Sequence, residues 1–192
     1  MSPLQKKDVD KMGGAKENAV TEKHVSHSDL DFIRQRKLAR QLAMQCLFSM
    51  DTNSDWQWDE GNFAITALTA SLIEDDDNDT PLRSDFEAAK QFAQRIAKGA
   101  AEHVSEIDMA IECAAKNWTV ARMSKIDKAI LRIAAYELMF EAKIPAATSI
   151  NEAVELAKAF GEAKSPRFIN GVLDKIRENC GKASKKSPKG NK

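Results

Sequence analysis

Helix-starting devices recur along this chain, and strand signals do not. Ser149-Ile150-Asn151-Glu152 reads as a full capping box: the Ser149 side chain can accept the backbone N–H at Glu152, and Glu152 can reach back. Ala153, Leu156, Ala157 and Phe160 then share an inward face, with Gly161 as a C-cap. Ser165-Pro166 gives a cap and a first-turn proline to a last helix carrying Ile169, Val172, Leu173 and Ile176, stopped by Gly181. Ser105-Glu106-Ile107-Asp108 and Ser124-Lys125-Ile126-Asp127 repeat the box with Asp for Glu. The short β-branched run Thr148-Ser149-Ile150 is too brief to be a strand.

The remaining helices follow from apolar spacing. A first runs from Ser28 or Asp29 to Met50, with Leu38, Ala39, Leu42, Ala43, Cys46 and Met50 on its core side. Asp51 to Asp55 breaks it. A second covers Glu60 to Ile73, and the acidic run Glu74 to Asp79 reads as a solvated loop. Pro81 opens a third that ends near His103, with Phe86, Ala89, Phe92, Ile96 and Ala100 in one stripe. A short fourth ends near Trp118. A fifth buries Ile126, Ile130, Ile133, Ala134 and Leu138, and Pro145 limits it. The expected fold is all-α, a compact seven-helix bundle. Residues 1–28 read as a disordered extension, 29–180 as the folded unit, and 181–192 as a basic disordered tail.

Composition removes several function classes. Lys+Arg and Asp+Glu are equal at 29 each, so only local charge clustering could attract nucleic acid. No apolar run is long enough to span a membrane, and the first residues lack the apolar stretch of a secretory signal, so a cytoplasmic location is expected. Cys46, Cys113 and Cys180 lie far apart, form no zinc pattern, and read as small core thiols in a reducing compartment. Phosphate-binding, dinucleotide-binding, zincin and nucleophile-elbow motifs are missing, and His103 stands alone. No catalytic residue, metal or cofactor is expected, and the chain reads as a non-enzyme.

One cluster does concentrate charge. Arg34, Arg36, Lys37 and Arg40 place four cations in seven residues, and no acid lies between Asp31 and Asp51. On a helical wheel Arg36, Lys37 and Arg40 fall opposite the Leu38–Leu42–Cys46 stripe, Arg34 flanks them, and Met44 and Phe48 lie outward. Cations beside an outward aromatic suit single-stranded RNA, where phosphates are neutralised and bases stack. Contact with about four phosphates would give a log K against log salt slope of roughly −3. The competing reading is a merely solvated basic face.

Three blocks, in order, resemble the NusB family of transcription antitermination factors. The first is the A-R-x-x-A-x-Q-x-L-[YF] pattern at Ala39, Arg40, Ala43, Gln45, Leu47 and Phe48. The second is Trp118, Arg122, Ile126-Asp127, Ile130-Leu131-Arg132 and Tyr136-Glu137-Leu138. The third runs from Ile144-Pro145 to Asp174 through Ile150 to Lys158 and Phe168-Ile169-Asn170-Gly171-Val172-Leu173-Asp174. The resemblance implies two small helical subdomains and binding of boxA RNA in ribosomal RNA leader transcripts. It implies pairing with the small-subunit ribosomal protein NusE, entry into the RNA polymerase antitermination complex, and a possible homodimer when free. It implies RNA contacts at Arg34, Arg36, Lys37, Arg40 and Phe48, and at Lys164 and Phe168 before the last helix.

Asn151, Asn170, Trp118 and Tyr136 read as structural residues. The long extension, the Trp56-Gln57-Trp58 stretch and the acidic run depart from the family pattern. The rival readings are the related RNA-binding domain of a ribosomal RNA cytosine methyltransferase and a helical adaptor that does not bind RNA.

Overall fold

The structure is a computed structural model, and it describes residues 27–59, 80–116 and 118–184. Among the described residues it contains six α-helices, one 3-10 turn and no strand. They are α1 (His27–Asn53), α2 (Thr80–Glu102), α3 (Val104–Ala115), the turn Val120–Arg122, α4 (Lys125–Phe140), α5 (Ala146–Phe160) and α6 (Ser165–Ser184). The all-α expectation holds. The helix expected over 60–73, the acidic run, the extension before His27 and the end of the tail lie outside the described residues.

Helix α4 is the hub. It packs on α1, α2, α3, α5 and α6. Every residue from Ala129 through Ala135 is buried, Arg132 included. A helix covered on all sides has no solvent face to spend on polar residues, so its charged members must find partners inside. Burying each of Ile130, Leu131 and Ile133 contributes about 1.5–3 kcal/mol. Helices α1 and α2 pack chiefly on each other, and α6 packs on α3, α4 and α5. Gly99 lets α2 approach α4, because a Cβ there would run into the Tyr136 ring.

The local start signals met different fates. Ser124 caps α4 as expected, its Oγ accepting the Asp127 N–H at 3.0 Å. Ser105 does not cap α3, which begins at Val104 after a one-residue break at His103. Ser149 does not cap α5 either. That helix begins at Ala146 behind Pro145, which places Ser149 inside it. Ser165 looks backward, accepting the Glu162 N–H at 3.1 Å. Gly161 caps α5 as expected, its N–H donating to the Ala157 carbonyl, while α6 runs past Gly181.

Burial also corrects several side chains. Ile169, Val172, Leu173 and Ile176 are buried as expected. Trp118 is 48% exposed, and Phe160 and Cys113 are exposed. Asn151 and Asn170 are exposed rather than serving helix starts from within; the Asn170 amide donates to Asp174 at 2.9 Å. Trp56 and Trp58 pack against the core. No helix among the described residues is long and apolar enough to cross a membrane.

Candidate nucleic-acid interface

The first half of α1 emerges from the bundle with a mixed surface. Leu30, Phe32 and Ile33 are exposed, and so are Arg34 and Lys37. Arg36 is half-buried. The residues share no single outward arc, because α1 is covered on one side by α2 and on another by α4 and α5.

That double coverage overturns the expected placement of Arg40 and Met44. Met44 is buried in the core, and Arg40 is only 4% exposed. Arg40 meets Glu137 of α4 through two bonds, Nε to Oε1 at 2.9 Å and Nη2 to Oε2 at 3.2 Å. Ser149 Oγ donates to the same Oε2 at 2.6 Å. The forked pair and the hydroxyl together satisfy a carboxylate with no access to water. The helical wheel misplaced Arg40 because it allowed α1 only one packing face. Phe48 is half-buried and packs against the core rather than projecting freely.

Arg36 lies beside this pair. Its guanidinium sits over the Phe92 ring at 4.0 Å and the Phe32 ring at 4.7 Å. Arg95 of α2 sits over Phe92 at 5.0 Å and pairs with Glu141. Burial, and then the neighbouring Arg95 and Arg40 charges, push the Arg36 pKa below the usual guanidinium value, with Glu137 opposing them. Arg40 lies over the same ring at 5.5 Å, so three guanidiniums gather on it. Around them opens a cleft of ≈ 830 Å³, lined by α1, α2, the α4–α5 connection and α5.

Lys164 and Phe168 belong to a second groove, of ≈ 540 Å³, which shares no lining residue with the first. Phe168 meets Trp118 at 6.1 Å between ring centroids, and Arg122 lies over Trp118 at 5.4 Å. Lys164 is exposed at its rim.

A second, part-buried charge cluster went unread in the sequence. Arg132 donates from Nε and Nη2 to both Asp108 oxygens, and from Nη1 to Asp51, each at 2.8 Å. Lys128 Nζ donates to the other Asp51 oxygen at 2.8 Å, and Trp56 lies over the Arg132 guanidinium at 4.6 Å. Burial pushes the Asp51 pKa up, but the hydrogen bonds from Arg132 and Lys128 outweigh it, so the carboxyl titrates below its ordinary value. The available signal was a charged residue inside an apolar stripe: Arg132 and Glu137 both interrupt the α4 core pattern.

A sequence profile of the NusB family matches residues 37–178. The transcription antitermination protein NusB of Geobacter sulfurreducens is 42% identical over 141 residues, covering 73% of this chain and 92% of that protein. The chain belongs to the NusB family. T. maritima NusB is a structural neighbour, 34% identical with a TM-score of 0.56, over 74% of this chain and 90% of that one. A structure of antitermination factors NusB and NusE in complex with dsRNA shares the fold, at 23% identity and a TM-score of 0.61. It covers 77% of this chain and 98% of that one. The names of the NusB relatives describe a non-enzymatic role, as the missing catalytic motifs led us to expect. The NusB-family profile begins at Lys37, so Phe32 and Arg36 lie ahead of the matched region.

Proposed function

We propose that this NusB-family chain is a transcription antitermination factor that binds boxA-type RNA of ribosomal RNA leaders together with NusE. Family membership carries the reading. The relatives are named transcription antitermination proteins, and a structural neighbour was solved with NusE and dsRNA. The exposed cations Arg34 and Lys37, with half-buried Arg36 between them, supply the phosphate-facing side. Arg40 acts from within as a positioning residue, fixing α1 against α4 through Glu137. Lys164 and Phe168, with Trp118 beside them, provide a second RNA contact, and the half-buried Phe48 offers a ring edge.

The folded RNA-binding unit is 29–180. It acts in the cytoplasm within the RNA polymerase antitermination complex, and pairs with itself when NusE is absent. The test is a titration of the full chain with boxA-like RNA, with and without NusE, across a salt series. Salt-sensitive binding that NusE strengthens is the expected result. Binding of NusE with no RNA affinity under any condition would leave the adaptor reading instead.

A further inference from the structure

We infer that the cleft between α1, α2 and the α4–α5 connection receives one unstacked guanine of single-stranded RNA, edge-on to the Arg36 guanidinium. This deepens the RNA-binding reading and rests on it.

Arg36 is held in an unusual state. Phe92 covers one part of its guanidinium at 4.0 Å and Phe32 another at 4.7 Å. Both aromatic residues line the same cleft as the guanidinium. A guanidinium carries five N–H donors. Among the described residues, no protein acceptor meets any of the donors of Arg36; its partners are rings. Glu152 lines the same cleft from α5. It is half-buried and, among the described residues, has no hydrogen bond or ion pair. An unengaged donor fork and an unengaged carboxylate thus line one apolar-walled cavity without meeting each other.

The ligand that matches both must present two adjacent acceptors and, elsewhere, donors. Guanine does: O6 and N7 accept from an arginine fork, and N1–H and N2–H₂ donate. Its flat ring suits walls that include Phe32, 53% exposed, and Phe140. Adenine offers an amino group where the fork needs an acceptor; uracil has no adjacent acceptor pair, and cytosine, which has one in O2 and N3, keeps only its N4 amino group to donate and a smaller ring to stack. A phosphate or an acidic peptide fits worse. Arg36, Arg95 and Lys143 would attract either anion, but neither offers both a flat ring for the aromatic walls and a donor for Glu152. The cleft volume of ≈ 830 Å³ falls within the range of preformed small-ligand sites.

The test uses the full chain and short uridine-rich RNAs in which one guanine is stepped through every position, read by fluorescence anisotropy. Matched RNAs carry adenine or 7-deazaguanine instead. At one position guanine should bind about tenfold or more tightly than adenine, with 7-deazaguanine between them. Arg36→Lys keeps the charge and loses the fork, so it should bind all three RNAs alike while retaining salt-sensitive affinity. Phe32→Ala, at an exposed position outside the core, should weaken the guanine RNA more than the adenine one. Equal affinity for guanine and adenine RNAs in the unaltered chain overturns the guanine site but leaves RNA binding standing. No RNA binding at all, with or without NusE, overturns both. An acidic peptide that binds at Arg36 while guanine RNA does not would assign the cleft to a protein partner.

Discussion

Two buried guanidiniums divide this molecule into a balanced region and an unbalanced one. At Arg132 the charges close: two cations, Arg132 and Lys128, meet two carboxylates, Asp51 and Asp108, with bonds of 2.8 Å throughout. That cluster ties the end of α1 to α3 and α4. At Arg40 one pair closes, with Glu137, but its surroundings do not. Arg36, Arg40 and Arg95 share the Phe92 ring, while only Glu137 and Glu141 answer them. A balanced cluster has nothing left to offer a ligand. A surplus held against aromatic rings keeps donors available at the cost of mutual repulsion, which an acceptor-rich guest relieves. One ion network only holds helices together, while the other also leaves Arg36 on a cleft wall without a protein acceptor among the described residues.

The largest effect should come from breaking a pair while its partner stays buried. Glu137→Ala strands Arg40 and should cost about 3–5 kcal/mol of stability in denaturant titrations, because an uncompensated charge remains inside. Arg132→Ala leaves Asp51 its Lys128 bond and Asp108 partly exposed, so it should cost less. A change in RNA affinity per folded molecule at Glu137 alone would sharpen the division. Ser149→Ala removes a single hydroxyl from the Glu137 carboxylate and should cost about 1.5–3 kcal/mol.

Acid should find the balanced cluster first. The Asp51 pKa is lowered in the folded state, so its contribution is complete above the ordinary carboxylate range and is lost as pH falls through the folded value. Thermal melts below about pH 4 should therefore drop in the unaltered chain, with a shallower pH dependence in Asp51→Asn. A parallel pH dependence in both would deny the clamp this role. The smallest effect belongs to the exposed cations. Lys37→Ala should leave stability within about 0.5 kcal/mol. It should flatten the salt slope of RNA binding by about 0.7 for one lost phosphate contact.

Thiol chemistry offers a control on the packing of α1. Cys46 is fully buried, and burial pushes its thiol up to about 12, whereas Cys113 is exposed. Maleimide labelling of the folded chain should modify Cys113 and spare Cys46. Prompt labelling of Cys46 would mean that α1 does not sit as described.

Apolar spacing on its own fixed the class, the order and most of the core of this protein. Leu42, Ile96, Ile130, Ile133, Ile169 and Leu173 are buried where their periodicity put them. That signal is local, since residues three and four apart share a face whatever else the chain does. Charge placement is not local. Arg40 is 97 residues from Glu137, and Arg132 is 81 from Asp51. Ser149 looked like a cap because its sequence neighbours fit one, yet its hydroxyl serves a carboxylate on another helix. Which basic residues face solvent, which ones clamp helices, and which one lines a cleft were decided only when α2 and α4 came to lie against α1. A helix wheel has one inside and one outside, and a helix covered on two sides does not.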